Sequence, residues 1–117
     1  MSLKLNRKAC DPVSFTFDID VDADLSNEVL IDGYSWGMLH IPANFDGTQI
    51  KFHTAPTKAG TYTEVIDPNT GSDITYTVAA SKSCPMPPEV FGASYLKIES
   101  VTDQATTDTV ITATFRS

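Results

Sequence analysis

Four aspartates, Asp18, Asp20, Asp22 and Asp24, stand two residues apart in the run SFTFDIDVDADLS. Closely spaced carboxylates are the raw material of a Ca²⁺ loop, which needs a glycine at its sixth position and a glutamate at its twelfth. Counted from Asp18 those positions hold Ala23 and Val29, and counted from Asp20 they hold Leu25 and Ile31. Neither register makes a loop. Ile19, Val21 and Ala23 alternate with the acids as they do in a strand, where same-face carboxylates stand about 6–7 Å apart, too far for neighbours to share a cation. The spacing therefore predicts an acidic outer strand face and no metal site, and chelators are expected to leave the fold intact.

Other groups able to do chemistry are sparse. His40 and His53 are not in an HxH or HExxH arrangement, and Cys10 and Cys84 belong to no CxxC or Cys/His cluster, which disfavours a zinc centre. There is no GxSxG and no phosphate-binding glycine loop. Fifteen Asp and Glu offer many carboxylate pairs but nothing selects one. The expectation is no catalytic residue, no cofactor and no enzyme. Trp36 and Tyr62 could form a stacking platform for a sugar, although strand aromatics more often pack a core.

These residues must be positioned by strands, because the recurring hydrophobic period is two. Val13, Phe15, Phe17, Ile19, Val21, Ala23 and Leu25 alternate with polar residues, a half-buried strand pattern longer than strands usually are, which predicts a bend or break within it. YSWGMLHIP follows, with Gly33 and Gly37 as candidate bend or bulge positions. TQIKFHT then alternates Ile50 and Phe52 with Lys51 and His53. TYTEVID and DITYTVA flank the turn chemistry of DPNTG and predict a hairpin about Asp67–Gly71. Pro85, Pro87 and Pro88 make SCPMPPEVFGAS a connection. SYLKIES and DTVITATFR close the chain as strands. About seven to eight antiparallel strands joined by short turns predict an all-β sandwich or jelly roll spanning 13–117, with an extended N-terminal arm at 1–12.

Charge divides the chain the same way. The net charge is −7, yet Lys4, Arg7 and Lys8 precede any acid, leaving five Lys and Arg against fifteen Asp and Glu beyond them. An acidic body argues against nucleic acid as a partner. The arm residues Leu3, Lys4, Leu5, Arg7 and Lys8 could add to the sheet edge of a neighbour whose surface is acidic, as a second copy of this chain would be. If the aspartates face such a basic segment, raised salt should loosen the assembly. No apolar run approaches the length of a membrane helix. The opening MSLKLNRKAC lacks an apolar stretch, so no secretory signal is expected and both thiols are expected reduced.

From Glu28 to Arg116 the chain resembles small virion proteins of tailed bacteriophages. The resemblance rests on WGMLHIPANFDGTQIKFHTA, GTYTEVID, YTVAAS, YLKIES and TVITATFR. The order of strand and Gly-aromatic turn is also similar to discoidin-like jelly-roll modules, which bind carbohydrate and lipid. Two departures are Tyr62, where those modules more often place Trp, and the Pro-rich connection at Pro85–Pro88. The first resemblance implies a non-enzymatic capsid decoration or cement protein. It would be synthesised in the host cytoplasm and carried on the capsid surface, with the major capsid protein and further copies of itself as partners. The second implies a carbohydrate-binding module of a head fibre or tail. A minor head or neck component is a further implied role.

Overall fold

The computed structural model describes residues 13–20, 23–102, 104 and 108–116. The arm at 1–12, with Leu3, Lys4, Leu5, Arg7, Lys8 and Cys10, and also Asp22, lie outside the described residues. Among the described residues nine strands form two antiparallel sheets: β1 (Val13–Ile19), β2 (Val29–Leu30), β3 (Trp36–His40), β4 (Gln49–Ala55), β5 (Thr63–Glu64), β6 (Thr75–Thr77), β7 (Ser83–Pro85), β8 (Tyr95–Ser100) and β9 (Thr109–Arg116). Among the described residues the helical content is a single 3₁₀ turn at Pro88–Gly92.

One sheet runs β1-β9-β3-β7 and the other β2-β8-β4-β5, with β6 also on β4. β5 pairs with His53 and Thr54 and β6 with Gln49 to Lys51, both along the edge of β4 that β8 leaves open. Counted as one interrupted strand they make eight. Connections then cross between sheets everywhere except at β4 to β5, which is the double Greek key of a jelly roll. The sequence-based expectation of an all-β sandwich or jelly roll holds.

Period-two alternation explains the layers. Phe17 and Ile19 of β1, Leu39 of β3, and Ile111, Ala113 and Phe115 of β9 face Ile50 and Phe52 of β4 and Leu96 and Ile98 of β8 across one buried core. Phe15, Tyr34 and Phe91 pack around Phe115, with ring centroids 5.8, 5.5 and 6.2 Å away. Gly37 sits in regular pairing opposite Phe115 rather than at a bulge. Its missing side chain is what Phe115 occupies: a Cβ there would lie 2.8 Å from Phe115 Cδ1 and 3.0 Å from Met86 Sδ.

The long alternating run breaks, as its length predicted. β1 ends at Ile19, and the Ala23 N–H donates to the Asp20 carbonyl at 3.0 Å, turning the chain. Beyond the turn, the chain continues beside β8 in the other sheet: Ser100 N–H bonds Asp24 O at 2.7 Å, Leu25 bridges Glu99, and Ser26 pairs with Ile98. The described aspartates Asp18, Asp20 and Asp24 therefore do not share one strand face, which corrects the expectation of one acidic strand face for these three. Asp18 lies in β1, Asp20 follows its end and Asp24 lies on the opposite sheet.

The expected hairpin also changes form. Gly71 N–H reaches Asp67 O at 2.7 Å and Ile66 bridges Asp73, so the turn closes. Its flanks stay paired only as far as the bond from Ile74 N–H to Val65 O at 2.9 Å, and beyond it the edge of β4 takes them as β5 and β6. Residues 66–73 are thus a small excursion from the edge strand.

At the end of the sandwich that holds the turn at Asp20, buried Gln104 ties three loops together, its backbone N–H donating to Ala23 O at 3.1 Å. Its Nε2 donates to Asp46 O and Ser100 Oγ, and its Oε1 accepts from Asp46 N–H at 2.9 Å and Thr109 Oγ1 at 2.8 Å. Gly47 closes the same junction at φ +98°, where a Cβ would also lie 2.8 Å from Thr102 Cβ.

Candidate functional site

The outer faces of the two sheets differ in chemistry. The β1-β9-β3-β7 sheet carries hydroxyls outward, Ser14 and Thr16 of β1 and Thr112 and Thr114 of β9, beside Asp18, Val110 and, at one end, half-exposed Trp36. His40 is on this face, its Nδ1 3.1 Å from Ser83 Oγ and its Nε2 3.5 Å from Thr114 Oγ1. These hydroxyl contacts give it no carboxylate orienter of the kind a nucleophile-activating base needs.

The other sheet gathers charge. Because Ile50 and Phe52 of β4 and Leu96 and Ile98 of β8 point inward, Lys51, His53, Lys97 and Glu99 point outward. Register does the rest. His53 lies opposite Glu64 on β5 and opposite Lys97 on β8, and Lys51 lies opposite Glu99. The diagonal contact is the closest: His53 Nε2 is 2.6 Å from Glu99 Oε1, with the two side chains only 13% and 23% exposed. The excursion at 66–73 returns Asp73 to the same place, 3.1 Å from Lys51 Nζ, and Glu64 lies 3.9 Å from that nitrogen.

Crowding of like charge is visible in proton affinities. A hydrogen bond shared with Asp73, then burial, pushes the Glu64 carboxyl above its ordinary value. The same bond, together with Lys51, holds Asp73 below its own. Lys51 is raised by its hydrogen bond to Asp73 and the charge of Glu64. His53, Glu64 and Glu99 each direct one ligand atom into a space where all three lie within 4.8 Å of one another.

The aromatics proposed as a sugar platform are not brought together. Trp36 is on β3, with the Arg116 guanidinium 5.6 Å from its ring. Tyr62 lies by the opposite sheet, with Lys97 Nζ 4.4 Å from its ring centroid and its hydroxyl donating to Lys58 O at 3.0 Å. A shared stacking surface needs both rings on one face, so the paired Trp36–Tyr62 platform is corrected. Cys84 is a free, half-buried thiol, and burial pushes its proton affinity up, which leaves little reactive thiolate. It lines a pocket of 220 Å³ with Ile41, Val78 and Lys82.

No protein-family model matches the chain, and no curated protein does. Among solved structures, the SPBc2 prophage-derived protein YomS superposes with a TM-score of 0.61 at 17% identity, covering 92% of this chain and 94% of that one. The two share a fold across nearly their whole lengths. The Yersinia pseudotuberculosis-derived mitogen matches with a TM-score of 0.39 at 9% identity, over 92% of this chain and 86% of that one. That level of similarity carries no argument.

The residues missed from sequence are Lys51, His53, Glu64, Asp73 and Glu99. Alternation already set Lys51 with His53 on one face of TQIKFHT, and it sets Lys97 with Glu99 on one face of YLKIES. What joins these faces is pairing between strands 46 residues apart in sequence, which no local spacing encodes. For the same reason, the absence of clustered ligand motifs said nothing about donors assembled from three strands.

Proposed function

We propose that this chain is a non-enzymatic structural protein of a bacteriophage virion, a capsid decoration protein that binds the assembled shell and stabilises neighbouring capsid subunits. The observation carrying this reading is a jelly roll shared, end to end, with a prophage-derived protein. Jelly rolls recur in capsid and lectin domains, and the fold alone leaves the role open. The phage-like strand texture of the sequence and the hydroxyl-rich, weakly charged outer face of the β1-β9-β3-β7 sheet support a binding rather than a catalytic part. In this reading the major capsid protein is the partner, and copies of this chain meet as neighbours on the capsid surface.

The test is genetic and physical. Phage lacking the gene should assemble full-sized heads that release DNA at a lower temperature, and adding the purified protein back should restore resistance. Unaltered head stability without the protein would contradict a cementing role.

A second reading, a carbohydrate-binding module of a head fibre or tail, retains half-exposed Trp36 beside a hydroxyl-bearing face as its single favourable feature. Glycan-array binding abolished by Trp36→Ala would favour it over the first. A minor head or neck component would show the same fold at few copies per particle.

A further inference from the structure

We propose that His53, Glu64 and Glu99 form a binding site for a divalent transition-metal ion of the zinc type, held on the outer face of the β2-β8-β4-β5 sheet. The three donors come from three adjacent strands, β4, β5 and β8, whose backbone ladders fix their positions. Their ligand atoms all lie within 4.8 Å of one another, and the closest pair is 2.6 Å apart. Around a tetrahedral ion with bonds of about 2.0–2.2 Å, donors stand about 3.3–3.6 Å apart. The observed spread brackets that spacing, so small side-chain rotations admit the ion without moving a strand.

Charge favours a cation there. Three carboxyls, Glu64, Asp73 and Glu99, converge on one Lys51 and one imidazole. Lys51 is engaged by Asp73 at 3.1 Å and stands further, 3.9 Å, from Glu64. Lys51 is thus shared between Asp73 and Glu64, and the three carboxyls outnumber the two cationic groups they face. His53 Nε2 and Glu99 Oε1 would exchange their mutual 2.6 Å contact for bonds to the ion.

The donor set selects the class of metal. One imidazole nitrogen with two carboxylates suits Zn²⁺, Co²⁺ or Ni²⁺, whereas Ca²⁺ and Mg²⁺ prefer all-oxygen shells. Three protein ligands leave a coordination position open on the solvent side, for water or for a donor from a bound neighbour. The site takes no donor from Asp18, Asp20 or Asp24 and does not depend on the virion reading.

The full chain with Cys10→Ser and Cys84→Ser, which removes thiol ligands, should be titrated with Co²⁺ and Zn²⁺ and followed by calorimetry and visible absorption. The expected result is one site per chain, a Co²⁺ spectrum of low coordination number, and a raised melting temperature. His53→Ala and Glu99→Gln should each weaken binding more than about 100-fold, beyond the loss typical of outer-shell changes, while His40→Ala leaves it unchanged. Glu99→Gln preserves size and shape, so loss in that variant with an unchanged circular dichroism spectrum is loss of a ligand. Equal binding by His53→Ala, equal preference for Mg²⁺, or no binding at millimolar metal would overturn the proposal.

Discussion

Asn27 lies along the open edge of β1 and satisfies Asp18: its Oδ1 accepts the Asp18 backbone N–H at 2.7 Å. The same side chain donates to Glu28 O at 3.1 Å and approaches Thr16 O at 3.4 Å. β1 is an edge strand, and unpaired edges template association with other chains. Asn27 is a one-residue substitute for a neighbouring strand. Asn27→Ala should cost about 1–2 kcal/mol, measured by urea unfolding, and should raise the concentration-dependent light scattering of the folded protein.

Gln104 is expected to be the most sensitive polar residue in the sandwich. Gln104→Leu leaves the Asp46 N–H without its acceptor and removes the partner of Thr109 Oγ1. Each buried unsatisfied group costs about 1–3 kcal/mol. The variant should lose about 2–4 kcal/mol in denaturant unfolding, more than Asn27→Ala, whose groups can turn to water.

Gly37→Ala should destabilise by about 1–3 kcal/mol through overpacking, since the new methyl meets Phe115, Met86 and the Thr114 carbonyl. In a double-mutant cycle, Phe115→Leu should recover part of that cost, because the crowding ring is gone. Purely additive losses would show that the methyl group meets something other than Phe115.

Acid titration should show two opposed contributions from one carboxyl pair. Glu64 is raised, so its contribution to stability is full below pH 4.5 and declines as pH rises through its higher folded value. Asp73 is lowered, so its contribution is present above pH 3.8 and is lost as pH falls through its lower folded value. Glu64→Gln should remove the decline above pH 4.5, and Asp73→Asn should remove the loss below pH 3.8. Melting temperature against pH for the two variants checks both signs.

The core was legible because alternation reports burial directly. Phe17, Ile19, Ile50, Phe52, Leu96 and Ile98 all face inward as their period-two spacing requires. The corner at Asp20 was legible only as an expected break. Alternation continues through Val21 and Leu25, so the pattern before the corner looks like the pattern after it, although the segments belong to different sheets. Tyr62 and Trp36 were grouped by residue type, and topology separated them. The His53–Glu64–Glu99 cluster was hidden for the opposite reason: each residue is ordinary in its own strand and becomes a constellation only through register.

Attachment through the basic N-terminal segment is expected from charge. Deleting residues 2–9, which hold Lys4, Arg7 and Lys8, should weaken binding to capsids while leaving the melting temperature of the sandwich unchanged. Raised salt should weaken binding of the intact chain in the same way, within the Debye range of about 10 Å at 0.1 M. Salt-insensitive binding would remove the electrostatic role of the segment.

Membership of the virion shell is tested most directly by quantitative mass spectrometry of density-purified particles. A decoration role predicts this protein at a copy number of the same order as the major capsid protein, retained through washing at moderate salt. Particles that carry none of it, or only a few copies each, would contradict that role.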